Sequence, residues 1–133
     1  MIKTFDKFMT CLTGGAILTF FDLVFGGLDD TLIFLLILMG LDLITGILCG
    51  GKNKNLSSDI CFNGLKRKLL ILIYVLIGHH LDILLQVNYI RVGICYMYIV
   101  NEILSIIENG SILGVPVPQK ILDVLEVLNQ KED

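Results

Sequence analysis

The hydrophobic positions of this chain form long blocks separated by short polar segments. Three blocks, at residues 31–50, 69–87 and 89–107, are each close to the length of about 20 mostly apolar residues that an α-helix needs to cross a bilayer. Apolar residues of a globular core would be more evenly scattered along the chain. The pattern therefore predicts three transmembrane helices.

A fourth block, at residues 11–27, is shorter and contains Asp22 and two pairs of glycines. Its length is near the lower limit of about 17 residues for a membrane-spanning helix. Two interpretations remain open: it is a fourth transmembrane helix, or it is an amphipathic helix that lies in the membrane interface.

The remaining segments are short. Residues 51–68 form a polar connector, and Pro116 and Pro118 break the chain after the last apolar block. Residues 119–130 have the spacing of an amphipathic helix. The sequence thus predicts a single all-α integral membrane domain over residues 1–133, built as a bundle of three or four transmembrane helices with a short amphipathic C-terminal helix.

The composition supports lipid as the solvent of this chain. Hydrophobic residues make up 55% of its 133 positions and charged residues only 17%, whereas soluble domains have roughly 45–50% apolar and about 25% charged residues. The formal net charge of −3 argues against nucleic acid as a partner, because binding to phosphates needs a basic surface. The lipid bilayer is the expected partner.

The distribution of charge predicts an orientation. The 51–68 connector contains one acid, Asp59, and five bases: Lys52, Lys54, Lys66, Arg67 and Lys68. Positive charge close to the ends of membrane spans stays in the cytoplasm. We therefore expect the connector and the C-terminus on the cytoplasmic side, and the tight turn at residues 86–88 on the outside.

Polar and small residues recur at helical spacing within the three longer blocks. In the last block they are Arg91, Cys95, Tyr98, Glu102, Ser105 and Asn109. In the first of the three they are Asp42, Thr45, Gly46, Cys49 and Gly50, which include a GxxxG, and in the middle block they are Tyr74, Gly78 and Asp82. These faces are consistent with ordinary packing between helices, and also with the lining of a water path.

Depth in the membrane suggests how the charged residues are paired. Asp82 and Arg91 flank the same tight turn, so we expect a salt bridge between them. Asp42 and Glu102 lie near the middle of the membrane with no obvious cation at that depth. Burial disfavours a charged carboxylate, so we expect at least one of the two to be protonated.

No motif for catalysis, cofactor binding or metal binding is evident. The four cysteines form no CxxC pair, and the adjacent His79 and His80 point about 100° apart on a helix, so they are not placed to act on one target. A catalytic Ser/His/Asp set and a glycine-rich phosphate loop are also missing from the sequence. We therefore expect neither an enzyme nor a cofactor.

From about Leu35 to Glu108 the chain resembles the toxin secretion/phage lysis holins. The resemblance lies in the order of its parts: Asp42-Leu43-Ile44-Thr45-Gly46 in an apolar span, a Lys-rich connector with Ser57-Ser58, then Gly64-Leu65-Lys66-Arg67-Lys68, and a span that ends at Leu81-Asp82. The motif positions that carry over from the family are Asp42, Thr45, Gly46, Gly64 and Lys66.

The resemblance implies a protein that accumulates as homo-oligomers in the bacterial cytoplasmic membrane. There it would form lesions that release an endolysin or a protein toxin. Two other classes remain open from the residues alone. One is a small channel or transporter subunit that uses Asp42 and Glu102 as an ion path. The other is a non-conducting membrane anchor or immunity protein, which would bind a partner through the connector or the C-terminal helix.

Overall fold

A computed structural model describes residues 2–53 and 58–130 of the chain. This part folds into five helices and contains no strand. The helices are α1 (Ile2–Phe25), α2 (Asp30–Asn53), α3 (Ser58–Leu85), α4 (Ile90–Ile112) and α5 (Gln119–Gln130). The all-α fold class and the short C-terminal helix are confirmed.

Four of the helices are long and apolar enough to cross a membrane: Lys3–Phe25, Asp30–Gly51, Cys61–Leu85 and Ile90–Ile112. The first begins well before the 11–27 block. Threonines do not interrupt it, because the hydroxyls of Thr10, Thr13 and Thr19 donate to carbonyl oxygens one turn earlier in the same helix. With this additional length, α1 meets the length requirement for a span.

The polar connector is much shorter than the predicted 51–68. Residues 51–53 belong to α2 and residues 58–68 to α3, while Lys54 and Ser57 lie outside the described residues. The prediction equated the polar stretch with a loop, but long charged side chains on a helix can extend along its apolar surface toward water. Lys66 and Lys68 therefore lie on α3 and take their directions from its helical period.

Helix α4 continues beyond the predicted end at residue 107. It includes Asn109 and Gly110 and ends at Ile112. Gly114 then adopts a left-handed conformation with φ of +93°, and the backbone N–H of Val115 donates to the carbonyl of Gly110 at 2.9 Å. This geometry is a common way to end a helix with glycine, and it places the end of α4 after Gly110 rather than before it.

The turn between α1 and α2 requires glycine at two consecutive positions. Gly26 and Gly27 have φ of +79° and +106°, values that other residues adopt only with strain. A side chain at Gly26 would also collide with the imidazole ring of His79 on α3. The turn thus brings the end of α1 into close contact with α3.

The apolar core lies between α2, α3 and α4. Helix α4 packs against both of the others, whereas α2 and α3 contact each other only slightly. The buried core side chains are Leu32, Leu35, Leu38 and Met39 from α2, Ile71 and Val75 from α3, and Cys95 and Ile99 from α4. Helix α1 adds only Phe25 at the edge of this core, so the stable unit is a three-helix bundle.

Candidate functional site

Lys68 joins the three helices of the bundle through an ionic cluster. Its ammonium nitrogen lies 2.7 Å from a carboxylate oxygen of Asp42 on α2 and 2.7 Å from one of Glu102 on α4. Lys68 and Glu102 are only 7% and 6% exposed. One cation therefore pairs with two carboxylates within the largely buried contact of the three helices.

Further polar groups of α4 support the carboxylate of Asp42. The hydroxyl of Ser105 donates to it at 2.6 Å, and the side-chain amide of Asn109 lies 3.4 Å from the same oxygen. The Asn109 side chain also donates to the hydroxyl of Thr45 at 2.9 Å. The thiol of Cys49 donates to the backbone carbonyl of Asn109. Polar contacts thus hold α2 to α4 beyond the apolar core.

A groove of about 840 Å³ opens beside this cluster, between α2, α3 and α4. The ionic cluster forms part of its lining. Small residues leave room for it on two helices, since Gly46 and Gly50 line it from α2 and Gly64 lines it from α3. The side chains of Tyr98, Asn101, Ser105 and Asn109 line it from α4. The groove is therefore lined mainly by apolar surface, with the ionic cluster and a few polar side chains of α4 set into it.

A second polar layer lies at the opposite side of the core, around Arg91. Its guanidinium donates to the backbone carbonyls of Phe25 and Gly27 and makes an ion pair of 2.8 Å with Asp29. Asp29 also accepts a hydrogen bond from the backbone N–H of Leu32 and so caps α2. The guanidinium of Arg91 holds the pKa of the Asp29 carboxyl below its usual value.

The predicted salt bridge between Asp82 and Arg91 is wrong. The carboxylate of Asp82 instead accepts hydrogen bonds from the backbone N–H groups of Ile90 and Arg91, at 2.9 and 3.0 Å. A carboxylate in this position satisfies free amides at the start of α4 and complements the helix dipole. This leaves the guanidinium of Arg91 to bind the α1–α2 turn.

The remaining predicted residues separate into two groups. Tyr98 stacks on Tyr74 of α3, with 6.1 Å between the ring centroids, and Gly78 lies against the backbone of Arg91, so these residues serve the α3–α4 contact. The ammonium of Lys66 lies over the ring of Phe62 at 4.5 Å and is exposed. Lys66 is thus outside the ionic cluster.

The expectation that Asp42 and Glu102 lack a cation is wrong, because Lys68 supplies it. The spacing of residues on α3 indicates this contact, but the assignment of residues 51–68 to a connector left Lys68 out of the helix. Lys68, Ile71, Val75, Gly78 and Asp82 follow one another at helical steps of three and four, so they share one face. That face is the one that packs against α4.

The structure shows no other chemical centre in residues 2–53 and 58–130. No group of three or more His, Cys, Asp or Glu side chains there could hold a metal ion. All four cysteines are free thiols, two buried and two exposed. The rings of His79 and His80 lie 5.2 Å apart, at the end of α3 that contacts the α1–α2 turn.

These features define the class of protein: a small, all-helical, multi-pass membrane protein with an ionic cluster inside its bundle. The chain belongs to the bacteriophage holin family, whose model matches residues 19–130. The match covers all of α2, α3, α4 and α5. Membership of this family points to a membrane protein that works without catalysis.

Several relatives are similar over most of their length. A 14.9 kDa protein from the nagH 3′ region of Clostridium perfringens is 43% identical over 116 residues, which cover 86% of this chain and 88% of the relative. A second Clostridium perfringens protein is 39% identical over 132 residues, or 96% and 98% of the two chains. A probable holin of Bacillus phage phi105 is 34% identical over 100 residues, 74% of each chain. No solved structure matches the chain.

Proposed function

We propose that this protein is a holin that oligomerises in the bacterial cytoplasmic membrane and forms lesions there. The lesions would let an endolysin or a protein toxin leave the cytoplasm. Family membership and the similarity to a probable holin of a Bacillus phage support this function. Neither similarity identifies the released protein, which is encoded elsewhere.

The observation that carries the proposal is the ionic cluster inside an apolar bundle. A charged side chain at the centre of a membrane helix costs about 2.5–3.5 kcal/mol on insertion scales. This chain keeps the ionisable side chains of Asp42 and Glu102 near the middle of α2 and α4, where they pair with Lys68, and a simple membrane anchor would not need them. A rearrangement that separated α4 from α2 and α3 would turn these groups toward water and line a lesion with them.

The proposed orientation places the basic end of α3 in the cytoplasm. Lys66 and Arg67 are exposed there, and basic residues near span ends favour the cytoplasmic side. With four spans, both chain termini would lie on this side. The layer around Asp29, Asp82 and Arg91 would then lie at the outer surface.

Inducible expression in a bacterium tests the proposal. Optical density and dye entry are followed with and without a co-expressed endolysin. Abrupt permeabilisation after a delay, with lysis only when the endolysin is present, is the expected result. Asp42→Asn should alter the delay because it weakens the contact with Lys68, whereas Glu108→Gln, which neutralises an exposed carboxylate of α4, should not.

The two other classes would give different results. Sustained ion-selective conductance in cells that do not lyse would indicate a channel or transporter subunit. Cells that contain the inserted protein, continue to grow and exclude dye would indicate an anchor or immunity protein. Either result would overturn the holin proposal.

A further inference from the structure

The ionic cluster contains more acid than base. Among the described residues, Lys68 is the one cation that pairs with the carboxylates of Asp42 and Glu102. Arg67 also lines the groove, but it is exposed and makes no ion pair with either acid in the described part of the chain. If all three members of the cluster were ionised, it would have a net charge of −1 in the interior of a membrane protein.

Among the described residues, no other group pairs with the two acids. The titratable or charged groups that line the groove are Asp42 and Cys49 from α2, Cys61, Arg67, Lys68 and Tyr74 from α3, and Tyr98 and Glu102 from α4. The thiols and phenols among them are neutral when protonated and can only add negative charge when they ionise. With Arg67 exposed and unpaired in this set, protonation of a carboxyl group is the change that would make the cluster itself neutral.

The two carboxyl groups surround the same cation. The ammonium nitrogen of Lys68 lies 2.7 Å from an oxygen of Asp42 and 2.7 Å from an oxygen of Glu102. Two ionised carboxylates held this close in a buried site repel each other. One of two such neighbouring carboxyl groups therefore commonly keeps its proton.

The surrounding donors indicate which group is ionised. Asp42 receives hydrogen bonds from Lys68 and Ser105 at 2.7 and 2.6 Å, and the amide of Asn109 lies 3.4 Å away. Among the described contacts Glu102 receives one side-chain donor, Lys68, at 2.7 Å. An environment rich in donors favours the ionised form of a carboxyl group, and Asp42 has more such donors than Glu102.

We propose that the contact of α2, α3 and α4 is a proton-binding site, in which Glu102 holds one proton at neutral pH beside the ionised carboxylate of Asp42. The bound proton leaves a neutral cluster composed of Lys68, ionised Asp42 and protonated Glu102. The ligand is the proton itself, and the groove gives it a route to and from water.

Proton occupancy would also control the bundle, an extension that rests on the proposed holin function. Loss of the proton gives the cluster a net negative charge, and a charge in a low-dielectric interior draws water toward it. Water in the groove would weaken the contacts of α4 with α2 and α3. A rise in cytoplasmic pH should therefore advance the opening of the lesion.

Infrared spectroscopy of the full chain in lipid nanodiscs tests the proton site directly. The wild-type protein should show the carbonyl stretching band of a buried protonated carboxyl group at pH 7. Glu102→Gln should remove it. Asp42→Asn should remove it as well, since Glu102 then pairs with Lys68 as an ionised carboxylate. Both variants keep a neutral, similarly shaped side chain in the cluster.

Glu108→Gln is the matched control, because Glu108 is an exposed acid of the same helix. It should leave the band unchanged. A wild-type spectrum without the band would overturn the proposal. A band that survives in Glu102→Gln would overturn the assignment of the proton to this site. A band that survives in Asp42→Asn would contradict the claim that Glu102 is protonated because Asp42 neutralises Lys68.

Lysis timing separates the proton site from the proposed function. In cells whose internal pH is raised with a permeant base, wild-type lysis should come earlier, while Glu102→Gln should lose this dependence. Equal pH dependence in both would overturn the link between proton and opening. The infrared result stands independently, so a protein with the band but without lysis would refute the holin function and retain the site.

Discussion

The guanidinium of Arg91 and the carboxylate of Asp29 lie 2.8 Å apart although 62 residues separate them in the chain. The same guanidinium binds the carbonyls of Phe25 and Gly27. One buried side chain therefore attaches the α1–α2 turn to the start of α4. Its loss should affect the attachment of α1 more than the three-helix core.

Arg91→Gln should loosen α1 while the core remains folded. Each hydrogen bond to a charged group contributes about 1.5–3 kcal/mol, so amide exchange at residues 20–29 should accelerate by about tenfold or more. Hydrogen–deuterium exchange in nanodiscs measures this. Arg67→Gln removes an exposed arginine and is the control. Equal acceleration in the core would contradict the limited role given to Arg91.

The pH dependence of this attachment follows from Asp29. The hydrogen bond from Arg91 lowers the pKa of Asp29 below its ordinary value of 3.8. Its contribution is therefore complete above that value and is lost as pH falls through the lower pKa of the folded state. Because the side chain is 47% exposed, the effect should be small.

Amide exchange in the α1–α2 turn, corrected for its intrinsic pH dependence, should thus stay constant from neutral pH down to about pH 4. It should increase only below that. Asp29→Asn should show the loosened turn already at neutral pH, and Asp30→Asn, which changes the exposed neighbour, should not. Loosening of the wild type between pH 7 and 5 would show that another group controls the turn.

Gly78 should tolerate no side chain. A Cβ atom there would lie 2.7 Å from the Cδ1 of Ile94 and 3.1 Å from the Cα of Arg91, and the backbone of Arg91 is held by Asp82. Gly78→Ala should destabilise the α3–α4 contact by about 1–3 kcal/mol, the usual cost of overpacking. Unfolding in mixed detergent micelles, followed by circular dichroism, measures it.

Gly93→Ala provides the control, because a Cβ atom at Gly93 meets nothing within 4 Å. This variant should be as stable as the wild type or slightly more stable, since alanine favours a helix over glycine by about 1 kcal/mol. Similar losses in both variants would mean that the close approach of α3 to α4 does not limit stability.

Lys68→Met should prevent normal accumulation of the protein. It leaves Asp42 and Glu102 without their cation, and removing one partner of a buried ion pair costs about 3–5 kcal/mol. Lys66→Met removes the exposed lysine two residues earlier and should change little. Immunoblots of membrane fractions measure the amount.

A compensated variant tests the electrostatic explanation. Asp42→Asn and Glu102→Gln, added to Lys68→Met, remove all three ionisable groups together, and neutral replacements of a buried ionic group are often tolerated. Accumulation should recover toward the wild-type level. If the triple variant accumulates as poorly as Lys68→Met alone, the loss comes from packing around the Lys68 side chain and not from an unpaired buried charge.

The length of the hydrophobic blocks predicted most of the fold. The blocks at residues 31–50, 69–87 and 89–107 correspond largely to the apolar parts of α2, α3 and α4. A helix satisfies its own backbone hydrogen bonds, so a long apolar block can cross lipid only in this form. The ends were harder to predict. Residues 58–68 are polar but helical, since a charged side chain such as Lys68 can extend from a helix to find a partner.

The candidate site could be predicted only in part. Glu102, Ser105 and Asn109 were placed on one face by their spacing, and that face contacts Asp42. Sequence proximity, in contrast, suggested Asp82 as the partner of Arg91. This prediction failed for two reasons. The Asp82 carboxylate accepts hydrogen bonds from the backbone amides at the start of α4, and Arg91 binds carbonyl groups at the α1–α2 turn. Proximity in the chain indicates neither contact.

The weak attachment of α1 has a mechanical consequence. The apolar core contains side chains of α2, α3 and α4, and none of the strongly apolar stretch of α1 is buried within the protein. A change in the angle of α1 to the bundle would therefore expose no core side chain, because the outer part of the helix already faces lipid. The contact with Arg91 fixes the C-terminal end of α1, and the rest of the helix, which rises about 1.5 Å per residue, is left free to pack against a neighbouring protein in the membrane.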